Sequence, residues 1–153
     1  MSLLFLSPFV GYTASALLND YLHRKVGKRG VGGACASCHL AAYSIVAAHP
    51  PYPVLVIAFM LAGFGNGLAE GAWNAYLGNM ARASEILGIL HGLYGFGAVL
   101  SPLIATSMIT KAHLPWYTFY YIMVSTVHEW QAGWSLEYSS RMHLLTPVPF
   151  SRG

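Results

Sequence analysis

Four stretches of this chain run the length of a bilayer crossing with almost no charge. Ser2–Asn19, Val31–Ala48 and Ile86–Ile109 contain no Asp, Glu, Lys or Arg, and Val54–Leu77 contains only Glu70. A hydrocarbon core is crossed by about 20 apolar residues in a helix, with a range of roughly 17–25. Inside it the backbone must satisfy its own hydrogen bonds. The stretches therefore predict an all-α, polytopic transmembrane helix bundle. Charge content agrees: 8% of the 153 residues are charged, against about 25% in a soluble domain. The same figures exclude intrinsic disorder, which needs low hydrophobicity and high charge. A net charge of +3 built from so few groups argues against nucleic acid as a partner. Two cysteines make no disulfide framework. The absence of a basic residue before Asp20 leaves no n-region for a cleavable signal peptide.

The breaks between stretches are short. His23–Arg29 is a basic connector, HRKVGKR. His49-Pro50-Pro51-Tyr52-Pro53 cannot continue a helix. Asn79–Glu85 and Lys111–Pro115 read as turns. A fifth apolar run opens at Tyr117 and fails at His128-Glu129, about half the length that a crossing takes. The expected organisation is a transmembrane region over 1–124, with spans at about 2–19, 31–48, 54–77 and 86–109 and a partial one at 117–127. Residues 125–153 carry Glu129, Glu137, Arg141 and Arg152 without periodicity and are expected to form a disordered, divergent tail. A helix ending inside hydrocarbon leaves backbone groups unpaired. The expectation is thus a truncated chain, with translation of a retained intron after about Val124 as one origin of the tail.

Basic residues set the orientation. Arg24, Lys25, Lys28, Arg29 and Arg82 fall in loops on one side, and only Lys111 falls on the other. The positive-inside rule makes the first side cytoplasmic. Met1 then starts outside, as it would if an earlier span were missing.

The most informative segment is GFGNGLAEGAWNAYLGN, residues 63–79. Gly63, Gly67, Gly71 and Ala75 form a stripe of small residues, which lets two helix backbones approach closely in lipid. The stripe is expected to pack on Gly88 and Gly92 of the next stretch or on another neighbouring helix. Asn66, Glu70 and Asn74 form an adjacent polar stripe. A carboxylate within a span costs at least ~2.5 kcal/mol on insertion scales, so it faces a bundle interior or a wet cavity. The alternative is a Glu held by a neighbour for packing alone. A turn near residue 81 or 82 puts Glu70 and His91 within one helical turn of each other in depth, ~5 Å. A facing Glu–His pair would be a proton site; a His91 bonded to a carbonyl is the equal alternative. Asp20 reads as a polar cap at a cytoplasmic helix end.

Cys35-Ala36-Ser37-Cys38-His39 spells the attachment signature of c-type haem. It lies in the middle of an uncharged stretch, where a macrocycle and a distal ligand have no room. Buried thiols are the preferred reading, and no cofactor or metal is expected. His39 at mid-stretch needs a hydrogen-bonding partner.

SALLNDYLHRKVGKRG, residues 15–30, resembles a divergent form of the major facilitator signature, in which Gly-x-Leu-x-Asp leads into a basic Gly-containing turn. Leu18, Asp20 and Gly27-Lys28-Arg29 match, Ala16 replaces the leading glycine, and the interval to Gly27 is longer by about a turn. HPPYPVLVIAFMLAGFGNGLAEGAWNAYLGNMA, LGILHGLYGFGAVLSPLIATSM and WYTFYYIM are similar to the fungal, sugar-permease-like "bypass of stop codon" branch of that superfamily. The resemblance covers roughly Ser2 to Met123.

It implies a partial major-facilitator fold: four complete spans equivalent to the second to fifth of twelve, and a truncated fifth here that begins the sixth. In such transporters two six-helix halves rock about a central site. The Gly95-Phe96-Gly97…Ser101-Pro102 run is similar to the Gly/Pro-rich fifth span, so Gly95, Gly97 and Pro102 join the expected helix-packing residues. Asp20, Arg24, Lys25, Gly27, Lys28 and Arg29 form the implied cytoplasmic signature loop.

The expected function is secondary transport of a small polar, sugar-like solute, with protons as the candidate coupling ion. Asn66, Glu70, Asn74 and His91 are the expected solute or proton pathway. The partners are the lipid bilayer, the solute and protons. The chain is expected to be a fragment of the amino-terminal half, multi-pass in a plasma, vacuolar or endosomal membrane. No nucleotide or catalytic signature is present, so no enzyme is expected. The alternatives are a non-functional truncated product and a membrane-anchored haem electron carrier using CASCH.

Overall fold

A computed structural model describes residues 2–145, apart from the side chains of Ser2, Lys28 and 133–145. Residues 146–153, the end of the expected tail, lie outside the described residues. The described chain is helical throughout except at its turns: α1 Ser2–Ala47, α2 Tyr52–Leu77, α3 Ala83–Thr110 and α4 Thr118–Leu145.

Helix α1 is two helical arms joined at Gly27, whose φ of 69° and ψ of 175° are not helical. Glycine takes a positive φ without the Cβ clash that other residues meet. Contacts with α2 fix the direction of each arm. Pro8 lies at Gly63, Tyr12 and Ser15 at Gly67, and Asn19 at Gly71, so the first arm runs parallel to α2. His39 lies at Gly65, while Val31 and Cys35 pack with Leu68, Ala69 and Ala72, so the second arm runs antiparallel. The basic connector is thus a tight helical hairpin, narrower than the loop expected over 23–30.

Other boundaries follow local chemistry. Pro51 in extended conformation (φ −61°, ψ 155°) precedes α2, and Pro53 sits in its first turn, where a missing N–H costs no helical bond. Arg82 takes a left-handed conformation, φ 64°, at the entry to α3. Its guanidinium bonds Glu85 in the first turn of that helix. The hydroxyls of Ser7, Thr13 and Ser15 donate to carbonyls three or four residues back, so these three groups are satisfied within the first arm.

Arg29–Ala47, Tyr52–Leu77 and Ala83–Thr110 are long and apolar enough to cross a membrane. The other expected span, 2–19, is helical within the first arm of α1. At the fifth run the helix is longer than its apolar part. Helix α4 continues past His128-Glu129 to Leu145, where disorder from Ser125 onward had been expected. Helicity needs only the backbone ladder, and Ser125 and Thr126 donate back to Tyr121 and Ile122 carbonyls within it.

The core lies between the α1 hairpin and α2, where Ser15, Val31, Ala42 and Leu68 are at most 1% exposed. Helix α4 rests on α1: the Tyr120 ring stands 6.2 Å from Tyr43 and 6.3 Å from Phe59 of α2. His49 and Tyr117 stack at 4.1 Å at the same end. Helix α3 has no buried residue among those described.

Candidate functional site

The small-residue stripe of α2 seats the first arm of α1. A Cβ added at Gly63 would collide with the Pro8 carbonyl, at Gly67 with the Ser15 hydroxyl, and at Gly71 with the Asn19 amide. Gly11 reciprocates against the Met60 carbonyl. Of the two expected partners, α3 or another neighbouring helix, the stripe meets the other helix: Gly88, Gly92, Gly95 and Gly97 have open space where a Cβ would stand. The parallel arm carries small and polar residues that fit the groove, whereas α3 presents Ile89, Leu93 and Phe96 largely exposed. Pro102 is exposed in α3, whose helix continues past it.

This close approach brings two polar pairs together near mid-helix. The Tyr12 hydroxyl donates to Glu70 Oε2 at 2.7 Å. His39 Nε2 lies 3.0 Å from Asn66 Oδ1, and its Nδ1 lies 2.9 Å from the Cys35 carbonyl oxygen. Asn66 and Glu70, one turn apart on α2, therefore engage opposite arms of the hairpin. Gly65 makes room for the imidazole, since a Cβ there would stand 2.8 Å from two ring atoms of His39. Asn74 continues the stripe but is exposed, its carbonyl accepting from Gly78 N–H at 2.9 Å.

The hydrogen-bond partner of Glu70 is Tyr12, and His91 is exposed on α3. Equal depth is a property of the turn, but facing depends on rotation about the helix axis, and the carboxylate here turns toward the hairpin. Tyr12 was missed by sequence reasoning. Its separation of 58 residues from Glu70 carries no spacing signal. His39 carried one, an imidazole in an uncharged stretch.

CASCH does not fit a haem. Cys35 is buried between α1 and α2, and the His39 ring already spends both nitrogens on local partners. No group of three metal-ligating side chains occurs among the described residues.

At the connector end, Arg24 bonds Asp20 one turn back. That bond holds the Asp20 carboxyl below the usual carboxylate range and raises the Arg24 guanidinium. Lys25 Nζ stands 5.6 Å from the Tyr21 ring centroid. Beside this end a cavity of about 1010 Å³ is lined by Asn19, His23, Arg29, Cys35, Trp73 and Tyr76, among others. Asn19 Oδ1 and His23 Nε2 are buried without a hydrogen-bond partner among the described residues. Gly27 is the hinge of the hairpin. Lys28, the remaining signature residue, has its side chain outside the described residues.

Comparison with known proteins adds three findings. The family model described as Major Facilitator Superfamily matches residues 1–127. "Bypass of stop codon protein 6" of Saccharomyces cerevisiae is 28% identical over 125 residues, which are 80% of this chain and 24% of that protein. The chain thus spans about a quarter of that relative's length. No solved structure matches the chain. Apolar helices of membrane-crossing length, a glycine-seated hairpin and a family match over residues 1–127 lead to one conclusion: the chain is an integral multi-pass membrane protein and belongs to the Major Facilitator Superfamily.

Proposed function

We propose that this chain is part of a secondary transporter that moves a small polar, sugar-like solute by alternating access, with protons as the coupling ion. The observation that carries the reading is the pairing of Glu70 with Tyr12 and of Asn66 with His39 between membrane helices. A carboxylate, a phenol and an amide at that depth supply donors and acceptors to a solute rich in hydroxyls, and ionisable groups inside spans mark substrate or ion pathways. Asn74 extends the path toward the connector end, and His91 enters it from α3. In this reading residues 2–19, 31–48, 54–77 and 86–109 are complete spans and 117–127 belongs to an incomplete one. The chain is then a fragment of an amino-terminal half, with 125–153 outside the transport unit. Gly88, Gly92, Gly95, Gly97 and Pro102 are helix-packing positions for partners beyond this chain.

Equilibrium binding of monosaccharides and polyols to the chain in lipid nanodiscs tests the reading. Glu70→Gln should weaken binding about tenfold or more, the scale of one charge-assisted hydrogen bond. Binding unaltered by Glu70→Gln leaves the carboxylate with a packing role and overturns the pathway.

A further inference from the structure

His39 stands between two oxygens. Its Nδ1 is 2.9 Å from the Cys35 carbonyl and its Nε2 is 3.0 Å from Asn66 Oδ1. A carbonyl oxygen only accepts, so Nδ1 carries a proton whenever that bond is made. The charge state of the ring is then decided at Nε2 alone. With a proton there, Nε2–H donates to Oδ1 across the 3.0 Å separation. Without it, Nε2 is an acceptor and needs a donor, which the same asparagine supplies by rotating its amide half a turn about the terminal bond. Both states leave the half-buried ring satisfied.

The rotation has a consequence on the far side of Asn66. When the oxygen faces His39, the NH₂ group points away from the ring; when the NH₂ faces His39, the oxygen does. Asn66 is exposed, so that second face is accessible. We propose that His39 is a proton-binding residue and that the Asn66 amide is its relay, offering a solute a donor when His39 is protonated and an acceptor when it is neutral. The inference rests on the reading that Asn66 lies on the solute path. It goes further by naming which residue holds the proton and how the proton is communicated. One proton from water is taken up at Nε2 and returned there, and no covalent bond other than N–H changes.

The surroundings permit this. On its own arm the ring has Cys35 Sγ at 3.6 Å from Nδ1, Cys38 one position before it, and Tyr43 at 5.6 Å between ring centroids. From α2 it meets Gly65 and Asn66, and the nearest carboxylate along that helix, Glu70, is held by Tyr12 of the other arm. From α4 Tyr120 reaches Tyr43, and Tyr94 of α3 lies within electrostatic range of Tyr43. No cation faces the ring among these described groups, and an imidazole with partners at both nitrogens can hold one proton or two.

Solid-state nitrogen NMR on the whole chain in liposomes, with labelled histidine and asparagine, tests the relay. His39 is assigned by the signal lost in His39→Gln, and Asn66 by the one lost in Asn66→Leu. As pH is raised, Nδ1 of His39 should stay protonated, Nε2 should lose its proton, and the Asn66 amide signal should move at the same midpoint. Asn66→Asp offers only acceptors, so both ring nitrogens should remain protonated where the wild-type ring has lost one proton. An Nδ1 that loses the proton, or an Asn66 amide insensitive to pH, overturns the relay. If both signals titrate together while no solute binds, the transport reading falls and the relay stands.

Discussion

Tyr12 and Glu70 are 58 residues apart and joined by a 2.7 Å hydrogen bond from the phenol to the carboxylate. The bond exists because the first arm of α1 runs alongside α2 in the same direction, held close by glycines that leave no room for a side chain between them. A glycine stripe and an intramembrane carboxylate are thus two parts of one arrangement. The stripe brings the helices near enough for the carboxylate to find its donor.

Tyr12→Phe removes that donor and keeps the ring. Glu70 then loses a bond to a charged group, which costs about 1.5–3 kcal/mol. Thermal unfolding in nanodiscs should show the loss, and Glu70→Gln, which still accepts from Tyr12, should be milder. Equal stability of Tyr12→Phe and the wild type would mean that the bond carries no weight.

Gly67→Leu drives a side chain into Tyr12 and Ser15 of the first arm. Overpacking of this kind typically costs about 1–3 kcal/mol. Gly92→Ala, with open space around its Cβ position, should stay within about 0.5 kcal/mol of wild type. Proteolysis of the two variants in membranes distinguishes them, and a Gly92→Ala variant as labile as Gly67→Leu would refute the assignment of partner.

From the basic residues at the hairpin and at Arg82, that end is expected to lie in the cytoplasm. In a background with Cys35 and Cys38 replaced by Ala, Tyr52→Cys should react with an impermeant thiol reagent in intact cells. Lys25→Cys should react only after permeabilisation. The reverse pattern inverts the molecule.

Asp20 accepts from Arg24 outside the spans, and its carboxyl is held below the ordinary range by that bond. A lowered folded-state value means that the contribution is present above the unfolded value and is lost as pH falls through the folded one. Carbon NMR of the Asp20 carboxylate should give a midpoint below the ordinary range in the wild type. In Arg24→Ala it should return to that range. Both groups are well exposed, so the effect on overall stability should be slight. An unmoved Asp20 midpoint in Arg24→Ala would assign the depression to another cause.

Long runs without charge determine by themselves that this chain folds as membrane helices, because hydrocarbon tolerates no other open backbone. The Pro-rich break at 49–53 and the turn after Leu77 are legible for the same local reason, as are the periodic stripes Gly63-Gly67-Gly71 and Asn66-Glu70-Asn74. Periodicity tells which residues share a face, but not what that face meets. The stripe could seat any close helix, and only the reversal at Gly27 decided that it seats the first arm of α1 and not α3. The partners of Glu70 and Asn66 follow from that reversal, since Tyr12 and His39 reach them from arms running in opposite directions. Helix α4 carries the complementary lesson: apolar length predicts where a chain can cross a membrane, whereas backbone hydrogen bonding decides how far a helix extends, and here it extends to Leu145.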